Sequence, residues 1–141
     1  MTDAMRLVLD TNTIVSAACF PNSFGRRAFN WANANCVILA SETSIAELAE
    51  VIVRPRFERF LTAPLRIAFL HEFEFIAELV TITVRIKLCR DPSDDHVLEL
   101  AVSGAAQYIV SRVLDLLVLN PFRGIGICDA KAFLGMVTAP Q

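Results

Sequence analysis

The residues of this chain best suited to chemistry are carboxylates that stand beside short apolar segments. They are Asp10, Glu47, Asp94, Asp95 and Asp115. Carboxylate oxygens are preferred ligands of hard divalent cations such as Mg²⁺ and Mn²⁺. Two such ions about 3.5–4 Å apart can clamp a phosphodiester and activate an attacking water. The set therefore indicates a metal site that acts on phosphodiesters.

Each of these acids also has an ordinary structural explanation. Asp10 fits the N-cap of a helix, Glu47 fits an exposed helix position, and Asp115 fits a cap before Leu116. Acids at the start of a helix, such as Asp94 and Asp95, interact favourably with the helix dipole whether or not a metal binds. The metal interpretation depends on the set as a whole. It requires these carboxylates to lie close enough to share one ion.

The elements that must position these acids are short apolar runs alternating with helical segments. The runs with strand character are Met5–Leu9, Cys36–Ala40, Val80–Val84, Tyr108–Ser111 and Gly124–Cys128. Continuous apolar strands separated by helices are typical of a parallel sheet covered on both faces. The sequence therefore predicts a three-layer α/β/α fold with a short parallel sheet of four to five strands. Ligands of such folds bind beyond the carboxyl ends of the strands, where the acids are expected.

Length and composition indicate one globular domain that spans the chain. The 141 residues are 55% hydrophobic and carry a net charge of −2. A protein that binds nucleic acid through overall charge is usually basic, so binding here needs a metal or a local arginine patch. Five arginines are candidates for steering RNA, although an ordinary solvated surface explains them equally well. They are Arg26, Arg27, Arg54, Arg56 and Arg59.

The cysteines and the apolar runs favour a cytoplasmic location. Four scattered cysteines form no CxxC pair, which is typical of reduced thiols rather than of a zinc site or disulfide framework. No apolar run approaches the roughly 20 residues that span a bilayer. The first residues, Met1–Arg6, do not read as a signal peptide. We therefore expect a cytoplasmic protein without a membrane segment.

Four stretches of the sequence resemble the PIN-domain family. They are LVLDTNTIVSA (7–17), ASETSIAELAEVIVRPRF (40–57), CRDPSDDHVLELAVSGAAQYIVS (89–111) and DLL (115–117). The likeness extends from about Met5 to Met136 and is strongest to bacterial toxin components of toxin–antitoxin systems, the VapC-like ribonucleases. It implies a parallel sheet between helices, an Mg²⁺- or Mn²⁺-dependent ribonuclease activity on RNA, and an antitoxin protein as partner.

The resemblance also implies roles for particular residues. The family's acidic residues match Asp10, Glu47 and Asp95. Asp95 is chosen over Asp94 by its spacing of sixteen residues to Ser111, and Asp94 is a possible substitute. Asn12 and Ser111 match polar residues that line the same pocket.

One stretch departs from the family pattern. Where related proteins read Ser-Gly-Asp-x-Asp-Leu-Leu, this chain has Arg112 for the glycine and Val113 for the first aspartate. Asp115 keeps the second aspartate and is expected to help with a second metal or to orient water. Arg112 fits either a contact with phosphate or a pair with one of the acids. An alternative function is therefore a catalytically impaired protein that binds RNA or a protein partner.

Two further expectations concern His96 and the segment Pro64–Leu79. His96 neighbours Asp95 and, on a helical face, is expected to point away from the site. The helix predicted over Pro64–Leu79 carries more apolar side chains than one covering face needs. We therefore expect a homodimer that buries part of it, and a structural homodimer with no nucleic-acid role is a third hypothesis.

Overall fold

The computed structural model describes residues 4–139 and contains a five-stranded parallel sheet. The strands are β1 (Met5–Leu9), β2 (Cys36–Ala40), β3 (Glu78–Leu79), β4 (Tyr108–Val110) and β5 (Gly126–Cys128). Their order across the sheet is β3-β2-β1-β4-β5, and every neighbouring pair is parallel. The predicted α/β fold with a short parallel sheet is confirmed.

The helices connect these strands and cover the two faces of the sheet. They are α1 (Thr11–Cys19), α2 (Phe24–Asn35), α3 (Glu42–Ile52), α4 (Ala63–Ile76), α5 (Pro92–Ser103), α6 (Leu114–Leu117) and α7 (Ala130–Val137). A short 3-10 turn, Pro55–Phe57, lies between α3 and α4. Helices α1, α3 and α5 begin at N-cap residues. The side chains of Asp10, Ser41 and Asp91 accept hydrogen bonds from backbone amides of the first turn of these helices.

Side-chain alternation along the strands divides the interior into two apolar layers. Leu7 and Leu9 point into a core built with α1, α2, α3, α4 and α7. Val8, between them, points to the other face and packs in a core with α5 and α6. Burial on both faces explains why the strand sequences are continuously apolar. It also places the sheet between two layers of helices, as the sequence predicts.

The strand predicted at Val80–Val84 is wrong. Only Glu78–Leu79 pair with β2, and the amide of Val80 adds one bond to the carbonyl of Ala40 at 2.7 Å. The following backbone bonds instead to side chains of α5, with the amide of Ile86 donating to Glu99 at 2.9 Å. Alternate apolar side chains of this segment pack onto the α5 layer. The alternating pattern therefore reflects one-sided burial and not a strand.

Helix α4 covers the first core but leaves part of its apolar surface open. Phe69 and Phe73 are buried, whereas Phe75 is 90% exposed and Leu65 is 57% exposed. The homodimer expected from this helix stays a prediction. Within residues 4–139, no helix is both long and apolar enough to cross a membrane. All four cysteines are free.

Candidate active site

A polar cavity of about 390 Å³, here called the acidic pocket, opens beyond the carboxyl end of β1. Four carboxylate residues line it: Asp10, Glu47, Asp91 and Asp94. Its other polar lining residues are Thr11, Asn12, Arg54, Arg56, Ser93 and His96. Asp10 and Asn12 come from the start of α1, Glu47 from α3 and Asp94 from α5. The sheet edge therefore gathers acids that are far apart in the sequence.

Asp10 is the buried acid of this pocket and is held from two sides. Its carboxylate caps α1 by accepting a bond from the amide of Thr13 at 3.2 Å. Its other oxygen accepts the hydroxyl of Ser111, which is fully buried after β4. Burial raises the pKa of Asp10 above its ordinary value, and these hydrogen bonds only partly offset that rise. A cation in the pocket would therefore stabilise its charged form.

Glu47 reaches the pocket from α3 and is paired with a histidine. The hydroxyl of Thr11 donates to its Oε2 oxygen at 2.9 Å, and Nε2 of His96 bonds to the same oxygen. The hydrogen bond from His96 is the main reason that the pKa of Glu47 is lowered. His96 was expected to point away from the site, and the structure corrects that expectation. Its Nδ1 atom is buried and has no hydrogen-bond partner among the described residues.

The neighbours Asp94 and Asp95 have different surroundings. Asp94 lines the acidic pocket, and its pKa is raised by burial and by nearby acids that include Asp91 and Asp10. Asp95 is buried elsewhere: its Oδ1 oxygen accepts the amides of Leu88 at 3.1 Å and Cys89 at 2.8 Å. The amide of Cys89 is the main reason that the pKa of Asp95 is lowered. Asp95 thus fixes the segment before α5.

The rotation of α5 accounts for both differences from the sequence prediction. Successive helical residues turn by about 100°, so residues three and four apart share a face. Ser93, His96 and Val97 lie at those spacings and all line the acidic pocket, with Asp94 beside them. Asp95 is about 200° from Ser93 and therefore points away from it. The structure brings Asp94, and not Asp95, together with Asp10 and Glu47.

The donors of the pocket fit a hydrated ion better than a closed protein cage. Among residues 4–139, no group of three His, Cys, Asp or Glu side chains is arranged to hold a metal ion. The predicted trio with Asp95 is therefore not assembled. However, Mg²⁺ is usually bound by one or two carboxylates and completes its shell with waters and substrate phosphates. Asp10 and Asp94, with raised pKa values and a shared cavity, have the donor chemistry for that arrangement.

The departure after β4 has a clear structural counterpart. Val113 lines the acidic pocket and is the N-cap of α6, where no side chain caps the helix. Asp115 lies outside the pocket lining and pairs with Arg90, with Oδ1 2.7 Å from Nη2 and Oδ2 3.2 Å from Nε. Arg112 is exposed and lines a neighbouring cavity. Asp115 is therefore turned to Arg90 outside the pocket lining, although its charge is close enough to Asp94 to help raise the pKa of that acid.

A buried arginine that the sequence analysis missed supports the rim of the pocket. Arg66 of α4 is 1% exposed and donates to the carbonyls of Ile52, Arg54 and Leu61. It thereby fixes the turn that carries the pocket-lining Arg54 and Arg56. The sequence feature that could have revealed it is the position of this arginine on the apolar face of α4, three residues before Phe69.

The sequence of this chain matches a protein-family model, and its fold matches solved structures. A family model described as PIN domain matches residues 6–113. A search of curated proteins finds no significant match.

Two solved structures have similar folds. One is the crystal structure of VapBC2 from Rickettsia felis bound to a DNA fragment from its promoter, at 16% identity and a TM-score of 0.57. The other is DNA-bound VapBC from Salmonella typhimurium, at 20% identity and a TM-score of 0.57. Each match covers 89% of this chain and 98% of the other. At these identities the likeness establishes a common fold.

Proposed function

Because the chain belongs to the PIN domain family, we propose that it is a metal-dependent endoribonuclease that cleaves RNA at the acidic pocket. The observation that carries the proposal is the gathering of Asp10, Glu47 and Asp94 in one cavity beyond β1. Hydrolysis of a phosphodiester requires that negative charge be offset and that a water be activated. An acidic cavity with hard oxygen donors serves both needs once it holds a divalent cation.

Asp10 and Asp94 are the proposed ligands of Mg²⁺ or Mn²⁺. Burial raises the pKa of both carboxylates, Glu47 adds to the rise for Asp10, and Asp10 adds to the rise for Asp94, so a cation in the pocket is favoured. When bound, such an ion lowers the pKa of a water and offsets charge on the scissile phosphate. Ser111 orients Asp10 through its hydroxyl hydrogen bond. Asp115 is left out of this ligand set because both of its oxygens face Arg90.

The remaining pocket residues have proposed roles in binding and orientation. Thr11 orients the carboxylate of Glu47 through its hydroxyl, and His96 bonds to the same oxygen, which it would have to share with a metal ion. Asn12 is exposed at the rim, where its amide can donate to a phosphate oxygen. Arg54 and Arg56 line the same rim and offset the charge of an incoming strand. This local pair of cations compensates for the slightly acidic overall charge.

A catalytically impaired protein that binds RNA or a protein partner is the second candidate. Val113 places an apolar side chain on the pocket where the family pattern has an aspartate. In addition, His96 bonds to Glu47 and Arg90 pairs with Asp115, so side chains of the protein already contact two of the acids. Such pairs reduce the need for a metal. This candidate predicts RNA binding without cleavage.

The proposal extends to a toxin role with a protein antitoxin. The two solved structures of similar fold are VapBC assemblies, which supports a protein partner for this chain. A homodimer through the exposed apolar residues of α4, Leu65 and Phe75, is also proposed. A monomer by sedimentation at micromolar concentration would count against that dimer.

The test is cleavage of a mixed single-stranded RNA with and without Mn²⁺ or Mg²⁺. The wild type, Asp10→Asn and Glu47→Gln are compared with Glu42→Gln, an exposed acid of the same helix that lies outside the pocket. Metal-dependent cleavage that Asp10→Asn and Glu47→Gln remove, and Glu42→Gln keeps, supports the nuclease. RNA binding without cleavage in any metal favours the second candidate and contradicts the first.

A further inference from the structure

Two further cavities adjoin the acidic pocket, and the farther one lies beside the start of α7. A cavity of about 340 Å³ shares Asn12, Arg56 and Val113 with the acidic pocket. A third cavity, of about 490 Å³, shares Ser16 and Arg112 with the second. The shared lining residues make the three cavities neighbours on the surface. We call the second and third cavities together the basic groove.

The charges of the basic groove are mostly positive. Its lining includes three cations, Arg56, Arg112 and Lys131, all of them exposed. Asp129 is its single lining acid among the residues described, and that carboxylate caps α7 by accepting the amide of Ala132 at 2.8 Å. On a chain with a net charge of −2, this is a local concentration of positive charge. The groove therefore complements a polyanion that reaches the acidic pocket.

Aromatic rings lie between these cations. Phe20 and Phe57 line the second cavity, and Phe24 lines the third with 44% of its surface exposed. The cationic groups of Arg27 and Lys131 lie 5.4 and 5.7 Å from the centre of the Phe24 ring. The contact with Phe24 holds Lys131 beside the third cavity. Cations that follow a backbone beside exposed rings are the usual means of binding single-stranded nucleic acid.

We infer that the basic groove binds the single-stranded RNA that flanks the scissile phosphate, with successive phosphates at Arg112 and Lys131. This inference rests on the proposed function, since it takes the acidic pocket as the point of cleavage. The shared wall at Arg56 and Val113 lets one strand occupy both the pocket and the groove. Arg112, which replaces a glycine of the family pattern, thus becomes a residue that binds substrate.

The experiment measures binding of a short fluorescein-labelled single-stranded RNA by fluorescence anisotropy in EDTA, where no metal-dependent cleavage occurs. Arg112→Gln/Lys131→Gln is compared with Arg85→Gln/Lys87→Gln, which removes the same charge from exposed residues outside the groove. Each lost phosphate contact on a single strand reduces the salt slope by about 0.7. Losing both contacts should reduce the slope by about 1.4 and weaken binding roughly 25-fold at 0.1 M salt. The control variant should bind nearly as the wild type does.

Each outcome separates this inference from the proposed function. Equal RNA affinity of the groove variant and the wild type overturns the inference, and then a protein partner is the better occupant. Equal loss in both double variants also overturns it, because the effect is then one of overall charge. Binding that depends on Arg112 and Lys131, without cleavage in Mn²⁺, keeps the inference and removes the nuclease. If the protein cleaves RNA but the groove variant binds RNA as the wild type does, the nuclease is kept and the inference about the groove is overturned.

Discussion

Asp94 and Asp95 are adjacent in the chain, yet the Asp94 carboxylate lines the acidic pocket while that of Asp95 accepts two backbone amides. One step along α5 thus separates a residue proposed to act on substrate from one that stabilises the fold. The two have the same side chain and opposite shifts in pKa, because burial and nearby acids raise the pKa of Asp94, whereas N–H donors lower that of Asp95. Replacing each in turn should give different results.

Asp94→Asn should reduce metal-dependent RNA cleavage by roughly 100-fold, since the pocket loses a proposed ligand. Because the pKa of Asp94 is raised in the folded state, its charge costs stability at neutral pH. The free energy of unfolding should therefore stay the same or increase. Cleavage assays and urea denaturation at pH 7 measure the two effects. Undiminished cleavage by Asp94→Asn would remove Asp94 from the site.

Asp95→Asn should destabilise the fold by about 1–2 kcal/mol at pH 7, since two backbone amides lose a charged acceptor. The pKa of Asp95 is lowered on folding, so its stabilisation is present above the unfolded pKa. That stabilisation is lost as the pH falls through the folded pKa. In urea denaturation, the free energy of unfolding of the wild type should therefore fall toward that of the variant as the pH is lowered from 7. A pH-independent difference would contradict this explanation.

His96→Ala should lower the metal concentration for half-maximal cleavage by roughly three- to tenfold. His96 bonds to the oxygen of Glu47 that also faces the cavity, so its removal frees a donor. The expected gain corresponds to about 1 kcal/mol for a hydrogen bond to a charged group that is partly exposed. His71→Ala, on the exposed side of α4, is the control. A higher metal requirement would mean that His96 positions Glu47 for binding.

Val113→Asp should lower the metal requirement by roughly tenfold, because it adds a carboxylate to the pocket lining. The new side chain would also stand at the N-cap of α6, where aspartate is favoured and no cap is present. Leu114→Asp, one position later and 74% exposed, adds the same charge outside the pocket. Equal effects of both variants on a Mn²⁺ titration of cleavage would contradict a specific role for position 113.

The fold was predictable because its signals are local and repeated. The apolar segments of β1 and β2 are buried on both faces, and Asp10 and Ser41 directly after them cap the next helices. The segment after Leu79 was misassigned because its β-branched residues favour a strand, whereas its apolar side chains pack onto α5 without a neighbouring strand. Strand identity depends on a hydrogen-bonding neighbour, which the sequence does not specify.

Part of the candidate site was predictable from the sequence. Sequence order and spacing indicated acids at the sheet edge, and Asp10, Glu47, Asn12 and Asp94 line the pocket, whereas Asp95 and Asp115 do not. The choice between Asp94 and Asp95, and the direction of His96, depend on the rotation of α5. That rotation is fixed by burial of residues such as Leu98 and Ala101 against the sheet. A shift of one residue turns a side chain by about 100°, which spacing alone does not resolve.

The most direct test of a metal site in the acidic pocket is a Mn²⁺ titration. Electron paramagnetic resonance measures the concentration of free Mn²⁺ at each step. The account predicts that the wild type binds Mn²⁺ and that Asp10→Asn and Asp94→Asn each weaken that binding by at least roughly tenfold. Asp115→Asn should bind as the wild type does, because Asp115 faces Arg90. A wild type that binds no Mn²⁺, or pocket variants that bind it equally well, would contradict a metal site in the acidic pocket.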